Sequence, residues 1–276
     1  MQNKKKQCGS SCSATINCCQ TSNPCLNGGT CLSSFSTNSA RRRYTCTCPT
    51  GYAGIRCQEK ILSCRGYKNG NRDPGRYKVL DNNSQLFDVF CDFDSKSNIS
   101  WTLIQSYELQ YWEKFFTSFF SNYPIGEEQL SWAQYRASKS RMQSIQRDTT
   151  KWRLTCNYNE QQQAYSNDFV ISWNTIVDIL NLNSRQCALV EYIYLRGFNC
   201  SNCTAYLGQF HDTAVFNTPP PLHFIANPYQ SCNFRPGNSK ICNDMREHNF
   251  GRYRCINQLH DCSAQDNSTT QAWLGS

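Results

Sequence analysis

Cysteine is the residue type whose number and spacing carry chemistry in this chain. Nineteen occur in 276 residues. Thiols pair covalently in an oxidising compartment, whereas a reducing cytosol keeps them apart. Six of them, Cys19, Cys25, Cys31, Cys46, Cys48 and Cys57, crowd into the segment 19–57, with Cys8, Cys12 and Cys18 ahead of it. The chemistry on offer is stapling, and the setting it implies is secreted, luminal or cell-surface. Nineteen is odd, so one thiol stays free, forms an intermolecular disulfide, or pairs with a cysteine outside this sequence.

Other reactive arrangements are sparse. Cys200-Ser201-Asn202-Cys203 is a CxxC, but no second CxxC or close His pair completes a tetrahedral zinc site. No thioredoxin-like βαβ pattern surrounds it either, so structural disulfides are expected. The eight cysteines from Cys156 to Cys262 allow 105 pairings, which sequence leaves open. His211-Asp212 and His260-Asp261 are adjacent pairs, which do not set a base on an orienting carboxylate as a triad requires. His223 and His248 complete the histidines. No Gly-x-Ser-x-Gly elbow, His-Glu-x-x-His helix or phosphate loop is present. No enzyme, cofactor or metal is expected.

These cysteines must be positioned by two different kinds of module. Residues 1–63 hold eight Lys/Arg against one acid, Glu59, whereas the remainder holds 20 against 19. All six tryptophans and 33 of the 36 aromatic residues fall in the second part. The front part is too short for a self-sufficient core and must be bridged, while the rest can bury one. No apolar run approaches the roughly eighteen residues of a membrane span. Phe169–Leu182 and Cys187–Leu195 come nearest, and Asn, Asp or Glu interrupts both. Met1 is followed by Lys4, Lys5, Lys6 and Cys8 with no apolar signal-peptide core. Since the cysteines argue for export, a sequence incomplete at its N-terminus is expected.

Within 19–57, Asn27-Gly28-Gly29 is a turn between nearby cysteines, because glycine takes φ > 0 without steric cost. Arg43 to Cys48 alternates like one strand of a short hairpin. Sequence alone allows fifteen connectivities for six cysteines. The run Cys46-x-Cys48-x-x-Gly51-Tyr52-x-Gly54-x-x-Cys57 resembles the EGF-like module. That resemblance implies the pairs Cys19–Cys31, Cys25–Cys46 and Cys48–Cys57, each worth about 2–4 kcal/mol. Thr15-Ile16-Asn17-Cys18 and Ser39 stand where calcium-binding members carry acids and an Asp/Asn, so no calcium site is expected. Arg56 beside Cys57, with Leu62 beyond, resembles the pairing of EGF-type growth factors. Arg41, Arg42 and Arg43 with Lys4, Lys5 and Lys6 make a basic patch for acidic matrix proteins or sulfated glycans, or else a solvated loop. Base-stacking motifs are absent, and no nucleic acid is expected.

Beyond Cys64, the runs Arg76–Leu80, Leu86–Phe93 and Ser100–Gln105 read as three antiparallel strands, with Pro74-Gly75 and Asp81–Ser84 as turn chemistry. Cys64 is expected to bond Cys91. One helix is expected over Trp132–Arg147, with Tyr135, Met142 and Ile145 on its core face, and further strands at Lys151–Cys156 and Ala188–Leu195. Cys64, Gly75-x-Tyr77, Val89-Phe90-Cys91-Asp92 and Trp101-Thr102 resemble the opening of a fibrinogen-related domain. Asn98-Ile99-Ser100 replaces the usual glycines, and no Asp-x-Asp loop or Gly-Gly-Trp-Trp segment follows, so no ligand residues carry over. The expected fold is a small disulfide-rich EGF-like module plus a larger α+β, mainly antiparallel-sheet, disulfide-containing domain of divergent fibrinogen-like type. The expected divisions are a basic segment 1–18, the module 19–57, a linker 58–63, the large domain 64–262 and a tail 263–276.

Five Asn-x-Ser/Thr sequons, at Asn82, Asn98, Asn199, Asn202 and Asn267, mark surface loops as glycosylation sites in an exported glycoprotein, and Asn199 and Asn202, with cysteine in the middle position, lie too close for both to be occupied. The order of modules, with Trp152–Asn157 and Gly197–Ala205, resembles secreted anthozoan proteins, among them skeletal organic matrix proteins of stony corals. That implies a secreted extracellular-matrix protein, structural or adhesive, in a biomineralisation setting. A direct mineral nucleator needs dense carboxylates, and here 20 acids face 28 bases. A lectin-like glycan-binding protein and a proteolytically released EGF-receptor-type ligand are the competing readings.

Overall fold

The computed structural model describes residues 18–33, 44–70, 72–161, 167–209, 223–225, 232–236, 241–242, 245–246, 249–250 and 253–276. The chain enters through a short helix, α1 (Cys18–Thr21), and turns at Asn27-Gly28, both at positive φ (50° and 79°). A hairpin of β1 (Thr30–Ser33) and β2 (Tyr44–Thr47) follows, with Cys31 opposite Cys46. A second, two-residue ladder pairs β3 (Tyr52–Ala53) with β4 (Glu59–Lys60).

The large domain is one antiparallel sheet. β5 (Gly75–Leu80), β6 (Leu86–Asp94) and β7 (Ile99–Glu108) form the meander read from the sequence. β8 (Gln134–Arg136) pairs beside β7, and α2 (Lys139–Gln146) leads into β9 (Lys151–Cys156). After α3 (Tyr158–Gln161) come β10 (Phe169–Trp173), β11 (Arg185–Leu195) and β12 (Phe198–Gly208). β13 (His223–Ile225) and β16 (Asn249–Phe250) continue the sheet, and β14 (Ile241–Cys242) pairs with β15 (Met245–Arg246) apart from it. The last strand is β17 (Thr269–Gly275). Spatial order runs β16-β13-β12-β11-β10-β9-β17-β7-β6-β5.

Residues 263–276 are not a tail, because β17 lies in the middle of the sheet, bonded to β7 on one side and β9 on the other. All seven of its residues are buried. The helix is shorter than Trp132–Arg147. Ser138 stays extended (φ −61°, ψ 155°), and its amide is held by Glu127 Oε1 at 2.8 Å. The residues ahead of it are drawn into β8 by pairing with β7. Tyr135, Met142 and Ile145 are all buried as expected, but Tyr135 comes from the strand.

The core closes around a buried cation. Arg153 of β9 donates to Asp92 Oδ2 of β6 at 2.6 Å, and its guanidinium lies 4.6 Å from each of the Trp101 and Trp273 rings. Trp273 donates to Thr155 Oγ1 at 2.9 Å, and Thr155 bonds Gln271 Oε1. Gly275 is required here: a Cβ would meet Trp101 Cε3 at 2.4 Å. Arg136 plays a second anchoring role, donating to Gln105 Oε1 and to the carbonyls of Thr117, Ser118 and Ser121, which pins the 117–121 segment. Burial presses its pKa down to about 10, still a cation at neutral pH. No helix among the described residues is long and apolar enough to cross a membrane.

Removing one member of a buried ion pair strands the other charge and costs about 3–5 kcal/mol. Breaking an exposed pair costs under about 1 kcal/mol. Asp92→Ala is therefore expected to lower unfolding free energy by several kcal/mol in urea titration. Asp88→Ala, which breaks the half-exposed Lys78–Asp88 pair, is expected to leave the midpoint nearly unchanged. Equal losses would show that Asp92 is not buried against Arg153.

Candidate functional site

Among the sequence-derived candidates, the structure assembles the N-terminal cysteines into one place. Cys19 bonds Cys31, Cys25 bonds Cys46 and Cys48 bonds Cys57, with Cα separations of 5.5, 5.7 and 5.3 Å. These are the pairs that the resemblance implied. Cys18 is also disulfide-bonded. Side chains finish what the bridges begin. Asn23 Oδ1 accepts from the Cys25 amide at 2.9 Å, and Asn27 donates to the Cys57 carbonyl at 2.7 Å. Arg56 donates through Nε to Pro24 O at 2.7 Å, so it is partly spent on holding the module together. Leu26, Leu32 and Ile55 are left exposed on the outside, an apolar presence that packing does not demand.

Residues 58–63 do not form a linker. β4 lies within them, and Ile61 is buried, with its amide on Gly51 O (2.8 Å) and its carbonyl receiving the Leu80 amide (2.8 Å). Ser63 donates to Asp148 Oδ2, and Arg65 pairs with Asp148 Oδ1 at 3.0 Å. Lys60 donates to Ser84 Oγ across the same seam. Gly51, at φ +88°, lets Leu80 and Leu86 lie where a Cβ would meet them at 2.8 Å. The front module is thus seated on the β5–β6 hairpin. A fragment ending just after Leu62 would have to be cut between buried residues.

The basic residues Lys4, Lys5, Lys6, Arg41, Arg42 and Arg43 lie outside the described residues, as do Thr15, Ile16, Asn17 and Ser39. Among the described residues no group of three His, Cys, Asp or Glu side chains is placed to hold a metal ion. Cys64 bonds Cys91, Cys156 bonds Cys262, Cys187 bonds Cys232, and Cys200 bonds its near neighbour Cys203. All five sequon asparagines are exposed. Asn82, Asn98 and Asn267 sit in turns, but Asn199 and Asn202 sit in β12 rather than in a loop. Pairing with the long β11 extends the strand past both of them.

One constellation escaped the sequence. His260 is fully buried with Nδ1 3.7 Å from Asp168 Oδ2, a partner 92 positions away rather than the adjacent Asp261. Asp168 accepts the Arg196 amide at 2.8 Å, and Asp261 Oδ2 accepts the Asp168 amide at 2.7 Å. The Tyr253 ring meets the imidazole edge-on at 5.2 Å. The imidazole has no exposed surface by which a substrate could reach it, and the Cys156–Cys262 bridge ties the next turn to β9. His211, His248 and the side chain of His223 lie outside the described residues.

Burial pushes the Asp261 carboxyl above its ordinary range, and the charge of Asp168 adds to the push. An acid disfavoured as an anion in the fold contributes stability below its ordinary pKa and loses it as pH rises through the raised value. Asp261→Asn keeps an oxygen acceptor for the Asp168 amide and removes the charge. Thermal melts are expected to coincide with wild type at pH 3 and to run a few degrees higher for the variant at pH 7. A variant less stable at pH 7 would mean that the anion is favourably held.

Comparison with known proteins bears on the front module. Residues 19–56 match the EGF-like domain family. The chain is 44% identical over 49 residues to Protein jagged-1 of Homo sapiens, and 43% identical over 49 residues to Neurogenic locus protein delta of Drosophila melanogaster. It is 53% identical over 38 residues to Protein eyes shut homolog of Danio rerio. The matches cover 18%, 18% and 14% of this chain and only 4%, 5% and 1% of the relatives' lengths. With the three bridges in place, residues 19–56 form an EGF-like domain.

Proposed function

We propose that this protein is an extracellular, adhesive structural component of a secreted matrix. The observation that carries the reading is the EGF-like domain seated on a disulfide-bridged sheet, with seven bridges between described cysteines. Such oxidised cysteines belong to an exporting pathway. Similarity to jagged-1, delta and eyes shut homolog supports the same compartment. A module fixed against a large sheet suits a load-bearing or presenting role better than a detachable signal. The larger domain is read as a divergent fibrinogen-like one, on the Cys64–Cys91 bridge and the β5–β7 meander that follow the module. The organic matrix of a calcified skeleton is the setting that the anthozoan resemblance favours. Exposed Asn82, Asn98 and Asn267, with one of Asn199 and Asn202, are the acceptors for glycans.

The partners are acidic matrix proteins or sulfated glycans, met through Lys4, Lys5, Lys6 and Arg41, Arg42, Arg43. Residues 1–63 hold nearly all the net positive charge, and attraction to polyanions weakens as salt screens it. Retention on immobilised heparin provides the test. Replacing all six residues by Gln is expected to move elution to distinctly lower NaCl while leaving the three module bridges intact by mass mapping. Unchanged elution would remove these residues from the proposed interface.

A further inference from the structure

The bridges are not alike in what they hold. Of the seven between described cysteines, six join residues 9 to 106 positions apart, whereas Cys200 and Cys203 are 3 positions apart within β12. A bridge stabilises chiefly by restricting the unfolded chain, and the gain grows with the loop enclosed. Closing two intervening residues gains least. This bridge also spans a distorted stretch of strand. Positions i and i+3 of a regular strand face opposite sides and lie about 10 Å apart, yet the Cα atoms of Cys200 and Cys203 are only 6.1 Å apart. The strand is drawn in at Asn202, which stands between the two cysteines at φ +47°. Left-handed backbone is strained for any residue but glycine, and asparagine bears it best among the others. Opening this bridge therefore forfeits little and relieves strain, while opening any of the other six frees a larger loop.

We infer that Cys200–Cys203 is a thiol-exchange site, a labile disulfide that accepts external thiolates while the remaining bridges persist. Burial selects the sulfur attacked: Cys203 is 5% exposed, whereas Cys200 is only partly covered. A thiolate attacks Cys200 Sγ. A new S–S bond forms as the Cys200–Cys203 bond breaks, and the electron pair departs on Cys203 Sγ, which takes a proton from water. No net oxidation occurs in that step. A small dithiol completes a second exchange through its other thiolate, leaving as a cyclic disulfide and reducing the bridge by two electrons. The thiolate comes either from a small thiol in solution or from a second copy of this chain, whose nineteen cysteines are an odd number.

Full-length oxidised protein, titrated with dithiothreitol under native conditions and alkylated, reads this directly by peptide mass spectrometry. Cys200 and Cys203 are expected to label at a reductant concentration at least tenfold below that needed for Cys187, Cys232, Cys156 or Cys262. Asn202→Gly, which accepts positive φ freely, is expected to raise the concentration required. Incubation with glutathione, and separately at rising protein concentration, distinguishes the sources. A glutathione adduct on Cys200 assigns a small thiol, and a dimer cross-linked through Cys200 assigns a second copy. Labelling of Cys200 and Cys203 together with or after the other bridges, or neither adduct nor dimer forming at Cys200, overturns the inference.

Discussion

The fold depends on the insertion of its last strand between two strands made much earlier. β17 pairs with β7 through Thr270–Tyr107 and with β9 through Thr270–Cys156, so each ladder spans more than a hundred residues of chain. Without it, the meander β5–β7 and the run β9–β12 have no backbone ladder between them. The same seam holds the buried cation. Arg153 needs Asp92 from β6, Trp101 from β7 and Trp273 from β17, and an unpaired guanidinium there would be strongly unfavourable. Aromatic rings on both sides give the charge an electrostatic partner where water cannot enter. Long-range antiparallel pairing of this kind forms late, because loop closure precedes the contacts that reward it.

The EGF-like domain solves the opposite problem. Its contacts are local and its core is small, so bridges substitute for burial. The two solutions meet at residues 51–65, where backbone bonds through Ile61, the Ser63–Asp148 contact and the Gly51 seat fasten one to the other. The outward consequence is orientation. Exposed Leu26, Leu32 and Ile55 keep a fixed relation to the sheet.

What was legible in the sequence follows from that contrast. Cys46-x-Cys48-x-x-Gly51-Tyr52-x-Gly54-x-x-Cys57 is a local pattern whose spacing nearly dictates geometry, and the structure agrees with it. The β5–β7 meander announced itself by turn residues between apolar runs. β17 did not, since Thr-Thr-Gln-Ala-Trp-Leu-Gly is short and shows no alternation: both its faces are covered. Tyr135, Met142 and Ile145 fit a helical face, yet Tyr135 reaches the core from a strand, and only pairing with β7 decides that. The His260–Asp168 contact and the Cys156–Cys262 bridge join residues 92 and 106 apart, and no local signal selects them. Asn between the two cysteines of the CxxC was the one hint of a left-handed residue in β12.

The most direct measurement is native-state hydrogen exchange resolved to single amides. If the module is seated as described, the amides of Ile61 and Leu80 exchange as slowly as Thr270 and Leu274 in the central ladders, because opening the seam requires opening the domain. Exchange of Ile61 and Leu80 at the rate of a free loop, with β17 still protected, would contradict the seating and leave the module a tethered bead.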